Sequence, residues 1–127
     1  MDAEQSVKAI CGLRIAVGLL AWIAPNLAAK LFGLDPAHNP QAPYLGRLFG
    51  IRDVVLGVGT MVAQGDDRKS WLMAGLACDT ADAAAAGLGY RNGYLTGPTT
   101  ALLTAPALTG IGLGAVALGD DTSSAPA

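Results

Sequence analysis

The feature that most constrains the fold is a long apolar stretch near the C-terminus. No charged residue occurs from Asn92 to Gly119, and an apolar run of about 18 residues or more is typical of a transmembrane helix. The pattern predicts a helix over 97–118. A soluble bundle would have to bury this helix on every side, whereas a bilayer accepts it as it is. A membrane protein is therefore the first expectation.

The composition of the whole chain agrees with this expectation. Of its 127 residues, 52% are hydrophobic and 14% are charged, against about 25% charged residues in an average soluble domain. The length allows one domain, and four helices of about 20 residues each would occupy most of it. The net charge of -2 and the lack of a basic stripe in the sequence exclude nucleic acid as a partner.

Apolar stretches and turn signals divide the chain into four predicted transmembrane helices. We expect them at 7–24, 43–64, 70–90 and 97–118, in a single domain that covers 1–127. Pro25 ends the first helix, because proline breaks the backbone hydrogen-bond ladder. The segment after it is expected to form a short interfacial helix, and the polar tail 120–127 to be disordered. The predicted fold class is all-α, an integral membrane bundle of four transmembrane helices with a short interfacial helix after the first.

The ends of the chain and the distribution of basic residues predict an orientation. Asp2 and Glu4 stand where a signal peptide has its basic region, so the first apolar segment is expected to remain in the protein. Short turns put both termini and the second connection on one side. The positive-inside rule then favours a multi-pass protein of the plasma membrane with cytoplasmic termini, on a count of Lys8, Arg68 and Lys69 against Lys30 and Arg91.

Six ionisable residues interrupt the predicted membrane helices. A charged residue at the centre of a membrane helix costs about 2.5–3.5 kcal/mol on insertion scales, so such residues usually pair, line a cavity or take part in chemistry. We therefore take these six as the candidate binding residues: Arg14, Arg47, Arg52, Asp53, Asp79 and Asp82.

The spacing of the candidates suggests how they interact. Asp79 and Asp82 share one face of the third helix, about a turn apart. Two carboxylates so close in a low dielectric either keep a proton between them or are neutralised by arginines. Arg52 lies at a similar depth in the second helix, and Arg14 lies in the interior of the first, so pairing across three helices is geometrically possible. Arg47 lies nearer a helix end, from which its side chain can reach the interface.

The cluster has two interpretations at this stage. In one, a buried network of ion pairs only fixes which helices pack together, and no ligand is involved. In the other, the same residues line a polar cavity, where Asp79 or Asp82 exchanges protons or binds a cation and the arginines hold an anionic group.

The remaining motifs carry less information. Gly46-x-x-x-Gly50 and Gly110-x-x-x-Gly114 allow helix backbones to approach closely, inside the bundle or across a homodimer. We expect His38 to be a solvated loop residue, and Cys11 and Cys78 to pack as small buried residues. No metal site and no cofactor is expected, because no second histidine or C-x-x-C motif accompanies these residues.

Two short stretches resemble a known group of proteins. They are GRLFGIRDVVLG from Gly46 to Gly57 and ACDTADA from Ala77 to Ala83. Together they resemble the paired signatures of small four-helix membrane proteins common in actinobacteria, whose function is unknown, and the layout distantly resembles DoxX-like membrane proteins. The resemblance spans roughly 7–118 and implies a multi-pass membrane protein with the candidate residues of its second and third helices in the motif positions. It implies no activity, and the redox association of DoxX-like proteins transfers no catalytic residue.

Three functions are compatible with the sequence. The first is a membrane protein whose Arg/Asp cluster binds a small polar or lipophilic molecule or an ion, or mediates assembly, with a homo-oligomer expected if it transports. The second is a membrane-embedded isomerase or cyclase acting on a lipophilic substrate, with Asp79 or Asp82 as general acid and Asp53 as base. The third is a structural accessory subunit. We lean away from the enzyme. Transport predicts a cavity reaching both faces, the enzyme an apolar pocket ending on the aspartates, and the scaffold no cavity.

Overall fold

The computed structural model describes the backbone from Met1 to Ser123 and the side chains as far as Gly119. Within that range the chain is all-α, as predicted. Four long helices and one short one are present, with a single 3-10 turn between the second and the third. They are α1 (Ala3–Ile23), α2 (Pro25–Leu31), the turn Pro36–His38, α3 (Ala42–Val62), α4 (Gly65–Arg91) and α5 (Gly97–Ser123).

Two helices begin earlier than the sequence pattern indicated, and local chemistry explains both. Asp2 and Gln5 form a capping box, in which each side chain accepts a hydrogen bond from the other's backbone N–H, so α1 begins at Ala3. Helix α4 begins at Gly65, before the predicted position 70. Asp66 and Asp67 therefore lie in its first turn, where acidic side chains interact favourably with the helix dipole.

The segments around Pro25 and at the C-terminus also differ in detail from the expected boundaries. Pro25 occupies the first turn of α2, where its missing N–H has no helical partner to lose. The predicted short helix after the first is thus present. Helix α5 continues to Ser123, past the predicted end at 118 and into the tail expected to be disordered. The last part of that tail, 124–127, lies outside the described residues.

The four long helices pack in a ring, in which α1 contacts α3 and α5, and α4 contacts α5 and α3. The closest approach is between α1 and α3. A Cβ added to Gly50 would lie 2.6 Å from the carbonyl oxygen of Gly18, and one added to Gly18 would lie 2.5 Å from that of Gly50. Gly46 faces Pro25, and Gly114 faces Ile10. These glycines therefore contact neighbouring helices of the same bundle.

The bundle has two chemically different ends. The N-terminal end carries the start of α1 and the α3–α4 connection, tied together by an ion pair between Arg68 and Glu4, 3.3 Å apart. The opposite end, which we call the α2 end, carries α2, the 3-10 turn and the α4–α5 connection. There the Thr99 hydroxyl donates a hydrogen bond to the Gly33 carbonyl oxygen, so the loop after α2 is fastened to the start of α5.

The buried core is small and the apolar surface is large. Five residues form the core cluster: Val7, Ile10, Cys11, Leu72 and Ala117. Large apolar side chains are meanwhile exposed on every long helix, among them Ile23, Val62, Leu88 and Leu108. Two segments are long and apolar enough to span a membrane, Ala3–Ile23 and Gly97–Gly119, which is weak evidence for a membrane protein. The predicted four-span bundle is therefore matched in helix number but not confirmed as a membrane topology.

Candidate functional site

The centre of the bundle contains a fully buried ion pair between α1 and α4. Arg14 donates to Asp79 through both ends of its guanidinium fork, with Nη1 3.1 Å from Oδ1 and Nη2 2.5 Å from Oδ2. Both side chains are 6% exposed. Paired hydrogen bonds of this geometry are the strongest way to hold an arginine against a carboxylate. The pair therefore fixes how α1 and α4 face each other.

A second bidentate pair joins α3 to α4. Arg52 Nη1 lies 3.1 Å from Asp82 Oδ1, and its Nη2 lies 2.5 Å from Oδ2. This pair is half-buried, with the arginine 34% and the aspartate 30% exposed. The guanidinium also stacks over the Phe49 ring, 4.9 Å from its centroid, an attractive cation–π geometry. Of the two possibilities that the sequence left open, the arrangement observed is the one in which arginines pair with the two aspartates of α4.

Asp53 is the exception within the cluster. Its carboxylate lies between the two pairs, with Oδ1 3.8 Å from Arg14 Nη1 and 3.6 Å from Arg52 Nη2. These distances are too long for hydrogen bonds, and among the described residues Oδ1 is a buried acceptor without a partner. The side chain is 9% exposed. Both neighbouring guanidinium groups direct their forks at other carboxylates, so Asp53 has charge neighbours but no hydrogen-bond donor.

The sixth candidate lies outside this cluster. Arg47 is exposed near the start of α3, where its Nε donates a hydrogen bond to the Trp22 carbonyl oxygen. The structure thus brings together five of the six candidates, two arginines and three aspartates. With every member ionised, the assembled cluster carries one net negative charge, although the six residues balance in the sequence.

Two glycines make room for the buried pair. A Cβ added to Gly75, one turn before Asp79 on α4, would lie 2.6 Å from Arg14 Nη2. A Cβ added to Gly110 on α5 would collide with the Asp79 carboxylate. The Arg14–Asp79 pair therefore occupies the space that side chains at these two positions would fill. This explains why glycine stands at Gly75 and Gly110 inside helices that it otherwise destabilises.

A cavity of about 970 Å³ extends from the cluster to the α2 end of the bundle. Arg14, Asp53, Asp79 and Asp82 line its inner end. Its walls are mostly apolar, with residues of α1, α2, α3 and α5 among them, including Val17, Ala29, Phe49, Leu103 and Ala107. Ligand sites in proteins have volumes of about 300–1,000 Å³ and combine apolar walls with a few polar groups. The cavity has both properties.

The mouth of the cavity is formed by the loop after α2. Asp35, His38 and Asn39 line it there and are exposed. His38 Nδ1 lies 2.5 Å from Asp35 Oδ2, and this hydrogen bond holds the pKa of Asp35 below its ordinary value. The Asn39 side-chain amide donates to the Asp35 carbonyl oxygen. His38 is thus a loop residue as predicted, but its position at the mouth could not be inferred from its sequence surroundings.

Metal-ligating residues are not gathered anywhere in the part of the chain that the structure describes: no group of three or more His, Cys, Asp or Glu side chains is placed to hold an ion. Both cysteines are free. Cys11 is buried, as expected, whereas Cys78 is only partly so.

The geometry does not favour Asp79 or Asp82 as a general acid. Each is held by an arginine through two hydrogen bonds, which stabilise the ionised carboxylate. A general acid would have to be protonated. Asp53, assigned in the sequence only as a base, is the carboxylate that no arginine holds in this way.

Comparison with known proteins identifies a family but not an activity. Neither the curated proteins nor the solved structures contain a match to this chain. A family described as a domain of unknown function, DUF4267, matches residues 11–119, a range that contains every residue of the charged cluster. The actinobacterial and DoxX-like relationships stay predictions from the sequence. The match covers most of the chain, and the protein therefore belongs to the DUF4267 family.

Proposed function

We propose that this protein is a four-helix integral membrane protein that binds an amphipathic small molecule in the cavity between its helices. The observation that carries the proposal is the union of an apolar cavity of about 970 Å³ with the charged cluster at its inner end. The apolar walls accept the lipophilic part of the ligand, and the cluster receives its polar group.

The exposed surface supports a membrane location for all four long helices. On α3 the outward side chains include Ile51, Val55 and Val58, each at least 40% exposed, whereas Asp53 is buried. In the middle of α3 and α4 the charged residues face inward: Arg52, Asp79 and Asp82 are paired there and Asp53 is buried, whereas the other charged residues lie toward the helix ends. A helix can present an apolar surface to lipid while its ionisable residues face inward.

The helix lengths agree with this assignment. Helix α3 has 21 residues and is about 31 Å long at 1.5 Å per residue, close to the roughly 30 Å of a bilayer's hydrocarbon core. Asp53 lies about 16 Å along α3 from Ala42 by the same rise per residue. The cluster would therefore lie near the midplane, and the mouth lined by His38 near one membrane surface.

The two other functions are less well supported. A purely structural subunit would leave no reason for a cavity at the charged cluster or for an aspartate without a donor. The apolar pocket ending on aspartates suits a lipophilic substrate, as an isomerase or cyclase requires, but the acid that such chemistry needs is not offered by Asp79 or Asp82, which arginines hold. Ligand binding requires no such acid. The sequence further favours cytoplasmic termini, and a homo-oligomer if the protein transports its ligand.

Photochemical labelling tests the proposed binding. Protein in phosphatidylcholine nanodiscs would be irradiated with decanol carrying a diazirine on its tail, and the labelled residues mapped by mass spectrometry. We expect labels on cavity-lining residues such as Phe49 and Leu103, and loss of these labels when excess unmodified decanol competes. Labels confined to the outward residues Val55 and Val58, unaffected by competition, would refute a binding cavity.

Two neighbouring alanines provide a matched pair of variants. Ala85 and Ala84 are adjacent on α4 and both exposed, but only Ala85 lines the cavity. Ala85→Trp should fill part of the cavity and reduce its labelling, whereas Ala84→Trp should leave the labelling unchanged. Equal effects of the two substitutions would contradict the proposal.

A further inference from the structure

We propose that the polar group received by the cluster is cationic, that it pairs with Asp53, and that it displaces a proton which Asp53 carries while the cavity is empty. This inference rests on the proposed function, since it names the class of ligand for the same cavity: a lipophilic monocation such as a long-chain ammonium ion.

The charge of the cluster is the first argument. Asp79 is paired with Arg14 and Asp82 with Arg52, each through two hydrogen bonds. Asp53 is the fifth member and has no arginine of its own. An uncompensated charge at this depth is costly. A proton removes the cost by neutralising the carboxylate, and a bound cation removes it by pairing with the carboxylate.

The hydrogen bonds already made within the cluster indicate the sign of the ligand's charge. An anionic head group would need a guanidinium with free N–H groups at the inner end of the cavity. The forks of Arg14 and Arg52 are instead directed at aspartates. Arg52 Nε is a buried N–H without a partner among the described residues, but Arg52 does not line the cavity. The unused group at the inner end of the cavity is an acceptor, Asp53, which is 9% exposed and lines the cavity. It suits a cation.

Among the described residues around Asp53, no other carboxylate is left unpaired to bind the cation, because Asp79 and Asp82 are held by arginines. Arg14 faces it from α1 and Arg52 from its own helix, and Asp79 and Asp82 on α4 are the nearest other acids. From α5 the lining residues are uncharged: Leu103, Pro106, Ala107 and Gly110. Asp35 and His38 line the mouth, at the opposite end of the cavity from Asp53.

The exchange conserves charge. When the cation enters, the O–H bond of the Asp53 carboxyl breaks and the proton leaves through the water-accessible mouth of the cavity. One positive charge enters and one leaves, so the cluster is neutral both before and after binding. The tail of the ligand lies along the apolar walls, which include Val17 and Leu103.

Equilibrium dialysis of radiolabelled decyltrimethylammonium tests the inference. The protein would be held in phosphatidylcholine nanodiscs, which carry no net charge, and empty nanodiscs would measure partition into lipid. The quaternary ammonium ion has no proton to lose, so any pH dependence belongs to the protein. Decanol and decanoate of the same chain length serve as the neutral and anionic comparisons.

We expect the affinity for decyltrimethylammonium to exceed that for decanoate by about tenfold or more, the equivalent of at least one charge interaction of about 1.4 kcal/mol. Asp53→Asn should lower the affinity for the cation by a similar factor and leave decanol binding within about twofold, a change well below that tenfold step. Because asparagine keeps the shape of aspartate but cannot ionise, decanol binding also reports that the variant is folded.

The proton predicts a specific pH dependence. Affinity for the cation would be measured between about pH 5 and about pH 9. In the part of this range in which Asp53 of the empty protein is protonated, the affinity should rise by up to about tenfold per pH unit, since one proton is released for each cation bound. The dependence should disappear in Asp53→Asn and persist in His38→Gln, which removes the titrating imidazole at the mouth.

The outcomes separate this inference from the proposed function. If decanoate binds as tightly as the cation, or if Asp53→Asn binds the cation normally, the inference is overturned while the cavity remains a binding site. Affinity for the cation that does not change with pH would overturn the exchange. If photoreactive decanol fails to label the cavity, the proposed function itself fails.

Discussion

Replacement by asparagine should strongly destabilise the protein at Asp79 but have almost no effect on its stability at Asp53. Asp79→Asn removes the charge that faces Arg14 in a pair whose side chains are both 6% exposed. Removing one partner from a buried ion pair costs about 3–5 kcal/mol, because the other charge is left buried. The amide oxygen of asparagine still accepts one hydrogen bond, so we take the lower end, about 3 kcal/mol.

Asp53→Asn should cost very little. Asp53 accepts no hydrogen bond from Arg14 or Arg52, and in the empty protein we infer that it is already neutral. The substitution exchanges one uncharged group for another of similar shape, so the change in the free energy of unfolding should stay within about 0.5 kcal/mol.

Thermal unfolding of the detergent-purified protein, followed by tryptophan fluorescence at neutral pH, measures both effects. For a domain of this size about 3 kcal/mol corresponds to a decrease in Tm of about 10 °C, which we expect for Asp79→Asn alone. A decrease of that size in Asp53→Asn would contradict the reasoning, because it would mean that Asp53 is ionised and holds the bundle together. An unchanged Tm in Asp79→Asn would show that the Arg14–Asp79 pair does not stabilise the fold.

Two further predictions concern the helix crossing and the mouth of the cavity. Gly50→Ala places a carbon 2.6 Å from the Gly18 carbonyl oxygen and should lower the free energy of unfolding by about 1–3 kcal/mol. Gly12→Ala is the control, because its added carbon meets no atom within 4 Å, and it should be neutral or stabilise by up to about 1 kcal/mol. Thermal unfolding of the two variants measures both effects. At the mouth, His38→Ala should raise the pKa of Asp35 toward its ordinary value, as measured by NMR titration. Since the native pKa of Asp35 is lowered, the stabilising contact with His38 is present at neutral pH and is lost as acid protonates Asp35. An unchanged pKa of Asp35 in His38→Ala would contradict this prediction.

Much of the fold followed from the sequence because its signals are local. The apolar stretches, Pro25 and the polar turn near Asp66 indicated four long helices and a short helix after the first, all of which are present. The boundaries differed where a local interaction was overlooked. The capping box of Asp2 and Gln5 extends α1 toward the N-terminus, and the acidic first turn of α4 extends that helix past the basic residues Arg68 and Lys69 that had been taken to precede it.

The arrangement of the site followed from the sequence only in part. The sequence offered pairing of Arg14 and Arg52 with the aspartates of α4 as one of two possibilities, and the structure has these pairs. Which carboxylate would remain without a donor could not be predicted, because it depends on the direction of each guanidinium fork. That direction depends on how α1, α3 and α4 pack against one another, which involves contacts between distant parts of the chain.

A cavity at the charged cluster was one of the interpretations that the sequence left open, but its walls and its mouth could not be predicted. Its mouth is built by a loop whose residues show no motif, and its inner end requires Gly75 and Gly110 to face the Arg14–Asp79 pair. In the sequence Gly110 belonged to a small-residue motif and was interpreted through helix packing alone. Its contact with Asp79 shows that a glycine can be needed at a helix position to accommodate a charged side chain.

The central claim is that α3 and α4 cross the bilayer, so that the charged cluster lies at its midplane. Thiol labelling of single-cysteine variants with a membrane-impermeant maleimide tests it in intact cells, after Cys11 and Cys78 are replaced by alanine. His38→Cys and Gly93→Cys report the α2 end of the bundle, and Asp66→Cys reports the connection between α3 and α4. We predict that position 66 is labelled from the side of the membrane opposite to positions 38 and 93. Labelling of all three positions from one side would mean that only α1 and α5 cross, and it would contradict the account.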